Sequence, residues 1–243
     1  MPDYYISTDK KYLSLFELLL KKLEEIMEEF NAYIVVKEMC GRRYAKVHSK
    51  KESLDDVMLL IKDIFCDIIL INYKYLFFRK HLAVKISDKQ LENLFFTSVM
   101  LYDKDYDQTL LDIDGIAERE LTIDGIMRFC ISDLLTRWKN IAEILSENFY
   151  GDSDREAIYE FIKHIVYSMP SNAEEVNVYR TGSGYVIMDG DGRSIADFET
   201  SSSGELASRI LFVNPAAINF RDPCDRQTMI FLKNIFSDRI RFY

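Results

Sequence analysis

The run EVNVYRTGSGYVIMDGDGRSIADF, residues 175–198, decides the fold class. Glu175 to Arg180 alternates like a half-buried strand, Gly182-Ser183-Gly184 makes a turn, and Tyr185 to Met188 is a second strand. Asp189-Gly190-Asp191-Gly192 supplies the next turn, because Asp and Gly tolerate left-handed backbone, and Ser194 to Phe198 is a third strand. Toward the C-terminus the pattern predicts a short helix near Gly204 to Val213 and a strand at Ala217 to Phe220. A helix near Arg226 to Phe236 and a last strand, Arg239 to Tyr243, follow. The order β-β-β-α-β-α-β describes a small α/β layer.

Pro170-Ser171-Asn172-Ala173 bounds this module on its N-terminal side. Before it, no proline occurs back to Pro2, and Ser53 to about His164 reads as helix almost throughout. Ser53, Ser87, Thr122 and Asp152 stand where N-caps belong. Ile123, Ile126 or Met127, Phe129, Leu134, Trp138, Ile141, Leu145 and Phe149 form one apolar stripe, which predicts a single helix of roughly seven turns. At the N-terminus, Tyr4 to Thr8 reads as a short strand and Lys10 to Phe30 as an amphipathic helix. Ala32 to Met39 and the run from Arg42 to Ser49 then form a hairpin about Cys40-Gly41. The expected class is α+β: an N-terminal β-α-β-β segment (1–50), a central helical domain (51–169) and the C-terminal α/β module (174–243). The N-terminal strands are candidates to extend the C-terminal sheet.

Among 243 residues, 31 are Lys or Arg and 40 are Asp or Glu, a net charge of −9, and 48% are hydrophobic. Nine glycines and four prolines exclude collagen-like and low-complexity chains. Nucleic acid is an unlikely partner, since such binding needs excess positive charge. Residues 101–150 alone carry 5 basic and 11 acidic side chains, net −6, so the acidity is concentrated there. The first residues, MPDYYISTDKKY, hold no basic stretch followed by an apolar run, and no apolar segment approaches the roughly 20 residues a membrane span requires. Cys40, Cys66, Cys130 and Cys224 are dispersed without a CxxC pair, the pattern of free, buried or partly buried thiols in a reducing compartment. The expected location is the cytoplasm.

Candidate chemistry is sparse. Asp103, Asp105 and Asp107 fall at calcium-loop positions one, three and five, but Gln108 stands where that loop needs Gly and Asp114 where it needs Glu. A solvated helix end or interhelical loop suits these residues better. Arg42, Arg43, Lys46, His48, Lys50 and Lys51 form a basic stretch without an acid, either a contact surface or a charged edge strand that discourages aggregation. The glycines at 182 and 184 lack the strand-to-helix setting of a nucleotide loop. His48, His81 and His164 are isolated, Ser202-Ser203-Gly204-Glu205 reads as a helix cap, and Trp138 as a core residue. No catalytic residue, metal or cofactor is expected. A ligand site, if one exists, is expected where the C-terminal strands end, with Arg128, Asn214, Arg221 and Asp222 as its candidates.

Three stretches carry a resemblance. They are Tyr73-Lys-Tyr75-Leu-Phe77-Phe78, then Ile123-Asp124-Gly125-Ile126-Met127-Arg128-Phe129, and the C-terminal module from Glu175-Val-Asn-Val178 through Tyr185-Val-Ile-Met-Asp189 and Gly192 to Asn234-Ile-Phe236-Ser-Asp238-Arg239. On these the chain resembles the YtxC-like sporulation proteins of endospore-forming Firmicutes, over residues 50–243. Cys130 stands where a further basic residue would be expected, Asn219-Phe220 ends a strand that is more polar in such proteins, and the first fifty residues match little. The resemblance implies a role in endospore formation and no biochemical activity. The functional expectation is a non-catalytic cytoplasmic protein acting through protein–protein contacts, with a small-ligand binder or enzyme as the alternative.

Overall fold

In the first strand, β1 (Asp3–Thr8), Tyr4 and Ile6 are fully buried while Tyr5 is exposed, the alternation of a sheet with one face on a core. A computed structural model describes residues 3–27, 29–49, 54–111, 113, 120–149, 154–182, 184–195 and 202–243. Its architecture is α+β. After one 3₁₀ turn, α1 (Leu13–Glu24) buries Leu15, Phe16, Leu19 and Leu23. Strands β2 (Tyr33–Met39) and β3 (Arg42–His48) meet through a two-residue turn at Cys40 (φ 53°) and Gly41 (φ 74°). Two successive positive φ values match the right-handed twist of the flanking strands.

Helices α2 (Leu54–Asp67), α3 (Lys74–His81), α4 (Lys89–Leu101) and α5 (Lys104–Leu110) follow, with a π-helical stretch, Ile68–Tyr73, between α2 and α3. The helical middle is interrupted by a strand the sequence did not suggest. β4 (Glu120–Thr122) has only three residues, too few to show a period, and its pairing with β1 is parallel. The predicted seven-turn helix is in fact two, α6 (Ile123–Phe129) and α7 (Ser132–Asn148). The break buries Ile131 (1% exposed) and turns Phe129 out to solvent (79% exposed), contrary to its assignment to the apolar stripe. Asp88 caps α4 where Ser87 had been expected, and Thr122 precedes α6 without a side-chain cap bond. Ser53 and Asp152 lie outside the described residues.

From α8 (Arg155–Ser168) onward the elements are β5 (Ala173–Arg180), β6 (Tyr185–Asp189), α9 (Ser203–Val213), β7 (Pro215–Phe220), α10 (Arg226–Phe236) and β8 (Ile240–Phe242). The expected third strand leaves one bridge, Met188 to Ser194, and residues 196–201 lie outside the described residues. The Asp189 turn is the hairpin expected: its Oδ1 accepts from the backbone N–H of Asp191 and Arg193, and Gly192 has φ 79°. Ser202 caps α9 by accepting from the N–H of Glu205.

The strands form two four-stranded sheets, in the orders β2-β3-β1-β4 and β6-β5-β7-β8. The N-terminal strands therefore join β4, through β1, and not the C-terminal sheet. The chain divides into two compact units, Met1–Lys80 with Asp103–Ile141, and His81–Tyr102 with Ala142–Tyr243.

In the first unit, the acidic segment thought to be a solvated helix end sends one carboxylate inward. Asp107 is buried; its Oδ2 accepts from Lys74 Nζ at 2.6 Å and from Trp138 Nε1 at 3.0 Å. Arg137 approaches Asp107 Oδ1 through Nε at 3.3 Å and donates to Asp103, while its guanidinium lies 4.4 Å from the Tyr106 ring centre. Burial pushes the Lys74 ammonium below its ordinary pKa despite the carboxylate beside it. Asp112 and Asp114 lie outside the described residues.

In the second unit, Val176, Val178, Ile187, Ile218 and Phe220 are buried on one face of the C-terminal sheet. Asp225 caps α10 by accepting from the N–H of Thr228 at 2.9 Å and also accepts from the Tyr185 hydroxyl at 2.8 Å. The Thr228 hydrogen bonds, aided by Tyr185, hold its carboxyl down at about 2, below the ordinary 3.8. A depressed carboxylate stabilises the fold above its unfolded pKa, and that stability is lost as pH falls through 3.8 toward 2. Asp225→Ala is expected to cost about 1 kcal/mol at neutral pH and to flatten the stability profile between those values. Urea unfolding at pH 7 and pH 2.5 checks this; an unchanged acid limb would contradict it. Among the described residues no helix is long and apolar enough to cross a membrane.

Candidate functional site

The registers of the N-terminal sheet sort its side chains into two faces. Ile6, Ala45 and Leu121 occupy one cross-strand row and Tyr4 and Val47 the next, all buried. On the opposite face, Val35, Lys46, Tyr5 and Glu120 form a row across all four strands. Lys37, Tyr44, Ser7 and Thr122 form a parallel row, flanked by Met39 with Arg42 and by Tyr33 with His48 and Asp3. Over this face lies a cavity of about 570 Å³ lined by Tyr5, Val35, Lys37, Glu38, Met39, Tyr44, Lys46, His48 and Glu120.

Two of the basic contact candidates, Arg42 and Lys46, are on this face and Arg43 is on the opposite one, and the tertiary structure brings an acid to each. Arg42 donates to both oxygens of Asp124, at 2.7 and 3.1 Å, and to Ser7 Oγ. Burial alone would raise the Asp124 carboxyl, but the Arg42 hydrogen bonds and charge outweigh it and hold the carboxyl below its ordinary value. Arg43 bridges to Glu17 at 2.9 Å and Glu38 at 3.9 Å. Lys46 reaches Asp3 at 2.8 Å; this hydrogen bond raises the ammonium and lowers the carboxyl. Asp3 also takes His48 Nδ1 at 2.7 Å, and the His48 ring stacks on Tyr33 with centres 4.6 Å apart. Lys50 and Lys51 lie outside the described residues. Of the stretch that reads as purely basic, Arg42, Arg43, Lys46 and His48 each meet an acid. Nor is it an edge strand, because β3 lies between β2 and β1.

Sequence reasoning missed the partners Asp3, Glu17 and Asp124 and the aromatic residue Tyr5. Only the alternation of Tyr4-Tyr5-Ile6-Ser7 could have signalled that one tyrosine of the pair faces outward. The face offers aromatic planes, short apolar side chains and charge pairs whose geometry is already set. Such a surface suits adhesion to another polypeptide.

Each ligand candidate has its own partners. Arg128, in α6, bridges to Asp9 at 2.9 Å. Asn214 is fully buried with φ 44° and precedes β7, so it stands at the end of that strand opposite Arg221 and Asp222. Its amide donates to Pro170 and Met169 carbonyls and its oxygen accepts from Arg239, which is a structural tie. Arg221 donates to Asn177 Oδ1 at 2.8 Å and lies over the Tyr243 ring, while Asp222 accepts from the N–H of Arg180. No protein-family model, curated protein or solved structure matches this chain.

Proposed function

We propose that the protein is a non-catalytic, cytoplasmic protein of endospore formation that works through protein–protein contacts made on the outward face of its N-terminal sheet. The observation that carries the contact reading is the four-strand row Val35, Lys46, Tyr5 and Glu120 beneath the cavity, with Lys46 matched by Asp3 and, on the same face, Arg42 by Asp124. A face most of whose charges are satisfied from within, Lys37 excepted, attracts free anions and nucleic acid weakly, and leaves its tyrosines and apolar side chains as the adhesive surface. The sporulation setting draws on the three stretches of resemblance alone.

Two experiments test this. A protein time course through endospore formation is expected to show a rise with onset of the process; flat abundance would remove the setting. Tyr5→Ala combined with Tyr44→Ala is expected to weaken binding of the protein's partner about tenfold or more, with the melting temperature little changed. Equal binding by the double variant would sink the contact reading.

A second reading, a small-ligand site on the C-terminal sheet, draws on one observation. Asn219, wholly buried in β7, donates to Glu175 and lies near Asn177, yet its Oδ1 has no hydrogen-bond partner. A ligand donor there would satisfy it. A metabolite screen that raises the melting temperature of the parent chain but not of Asn219→Ala would favour this reading over the first.

A further inference from the structure

In the N-terminal sheet β2 is paired, among the described residues, with β3 alone. About half of the N–H and C=O groups of a strand in that position point away from its neighbour, and no described residue takes those of β2. The strand is seven residues long, contains no proline and opens Tyr33-Ile34-Val35-Val36. It is also uncovered: Tyr33 is 53%, Val36 46% and Met39 63% exposed. Sheets ordinarily protect such an edge with short strands, bulges, proline or rows of charge. Here Lys37 and Glu38 are the only charges, and they fall on opposite faces.

A row of unpaired backbone donors and acceptors is matched by one kind of partner, another extended chain. Charge decides between a second copy and a different protein. Two copies of β2 about a twofold axis can pair only in registers that keep each side chain on its own face. Registers centred on Lys37 or Glu38 oppose like charges. Those centred on Val35 or Val36 set Lys37 against Tyr33 or Val35 and leave it without a counter-ion. Lys37 has no acidic partner among the described residues, whereas Lys46 and His48 share Asp3 and Arg42 holds Asp124.

Building on the contact reading above, we propose that β2 receives an extended segment of a partner protein as a fifth strand. The segment sets apolar side chains against Tyr33, Val35 and Met39 and a carboxylate opposite Lys37.

The probes are two fluorescein-labelled eleven-residue peptides of alternating valine and threonine, one with a central glutamate and one with a central lysine. Binding to the full chain is read by anisotropy and the bound site by amide hydrogen exchange. The glutamate peptide is expected to bind about fivefold tighter than the lysine peptide and to slow exchange in residues 33–39. Lys37→Glu, an exposed change, reverses the preference, and methylating alternate backbone nitrogens along one edge of the peptide abolishes binding. No binding by either peptide at up to ~1 mM, or equal binding by the methylated peptide, overturns strand addition. Peptide binding that depends on Tyr5 and Tyr44 without protecting residues 33–39 overturns it too, yet leaves the contact face standing. Failure of the contact face itself reads differently: the glutamate peptide still protects residues 33–39, and the tyrosine double variant binds it unchanged.

Discussion

Asp107→Ala is expected to lower the unfolding free energy by about 3–5 kcal/mol, the largest effect of any single substitution considered for this chain. The carboxylate is buried, and it is the acceptor for both the Lys74 ammonium and the Trp138 indole. Removing it leaves a lysine that is itself buried without its counter-ion, and a guanidinium, that of Arg137, with one contact fewer. Burial already depresses the Lys74 pKa, so the pair sits where charge is costly. For that reason the paired replacement Asp107→Leu with Lys74→Met is expected to lose far less than the single change, since apolar residues of similar volume suit a dry site. Chemical denaturation of the two variants separates the terms. A loss below about 1 kcal/mol for Asp107→Ala would mean that the network is solvated and contributes little.

Gly204→Ala is the second. A Cβ at this position would stand 2.6 Å from the Gln90 Cβ and 2.9 Å from its Cα, closer than atoms can approach. The neighbour is main chain and the root of a side chain, so no rotamer change relieves it. The first turns of α4 and α9 also share a hydrogen bond, Ser203 Oγ to Gln90 Oε1 at 2.7 Å. Forcing these helices apart is expected to cost about 1–3 kcal/mol, read as a fall in melting temperature and as faster exchange in both helices. Gly125→Ala is the control: its Cβ would lie 3.5 Å from Thr122 in a helix, an ordinary contact, and alanine there is expected to hold or raise stability. If both variants melt alike, the close approach of α4 and α9 is not what holds residue 204 as glycine.

The elements with a long period were legible. α10 lies at Arg226–Phe236 and α9 at Ser203–Val213, as their spacing and caps predict. Hairpin chemistry was equally plain at Cys40-Gly41 and at Asp189, because positive φ restricts the residue types. What failed was short or ambiguous. β4 has three residues and exists through its ladder to β1, and the α6–α7 break follows from which of Phe129 and Ile131 the core accepts. The candidate site was half legible. Arg42, Arg43 and Lys46 drew notice as a charge run, but the acids that neutralise them, Asp3, Glu17 and Asp124, come from elsewhere in the chain.

Periodicity, caps and turn residues are local properties, encoded within a dozen residues, so the sequence by itself determined the α+β class, most element types and the alternation of each strand. Strand partners and charge partners depend on loop closures over tens of residues, whose entropic cost is repaid only by packing that no local pattern displays. Tertiary structure alone therefore decided that the strands form two separate sheets, that Asp107 points inward and that Arg42, Arg43 and Lys46 each meet an acid. It alone also decided that β2, unremarkable in sequence, is an open edge.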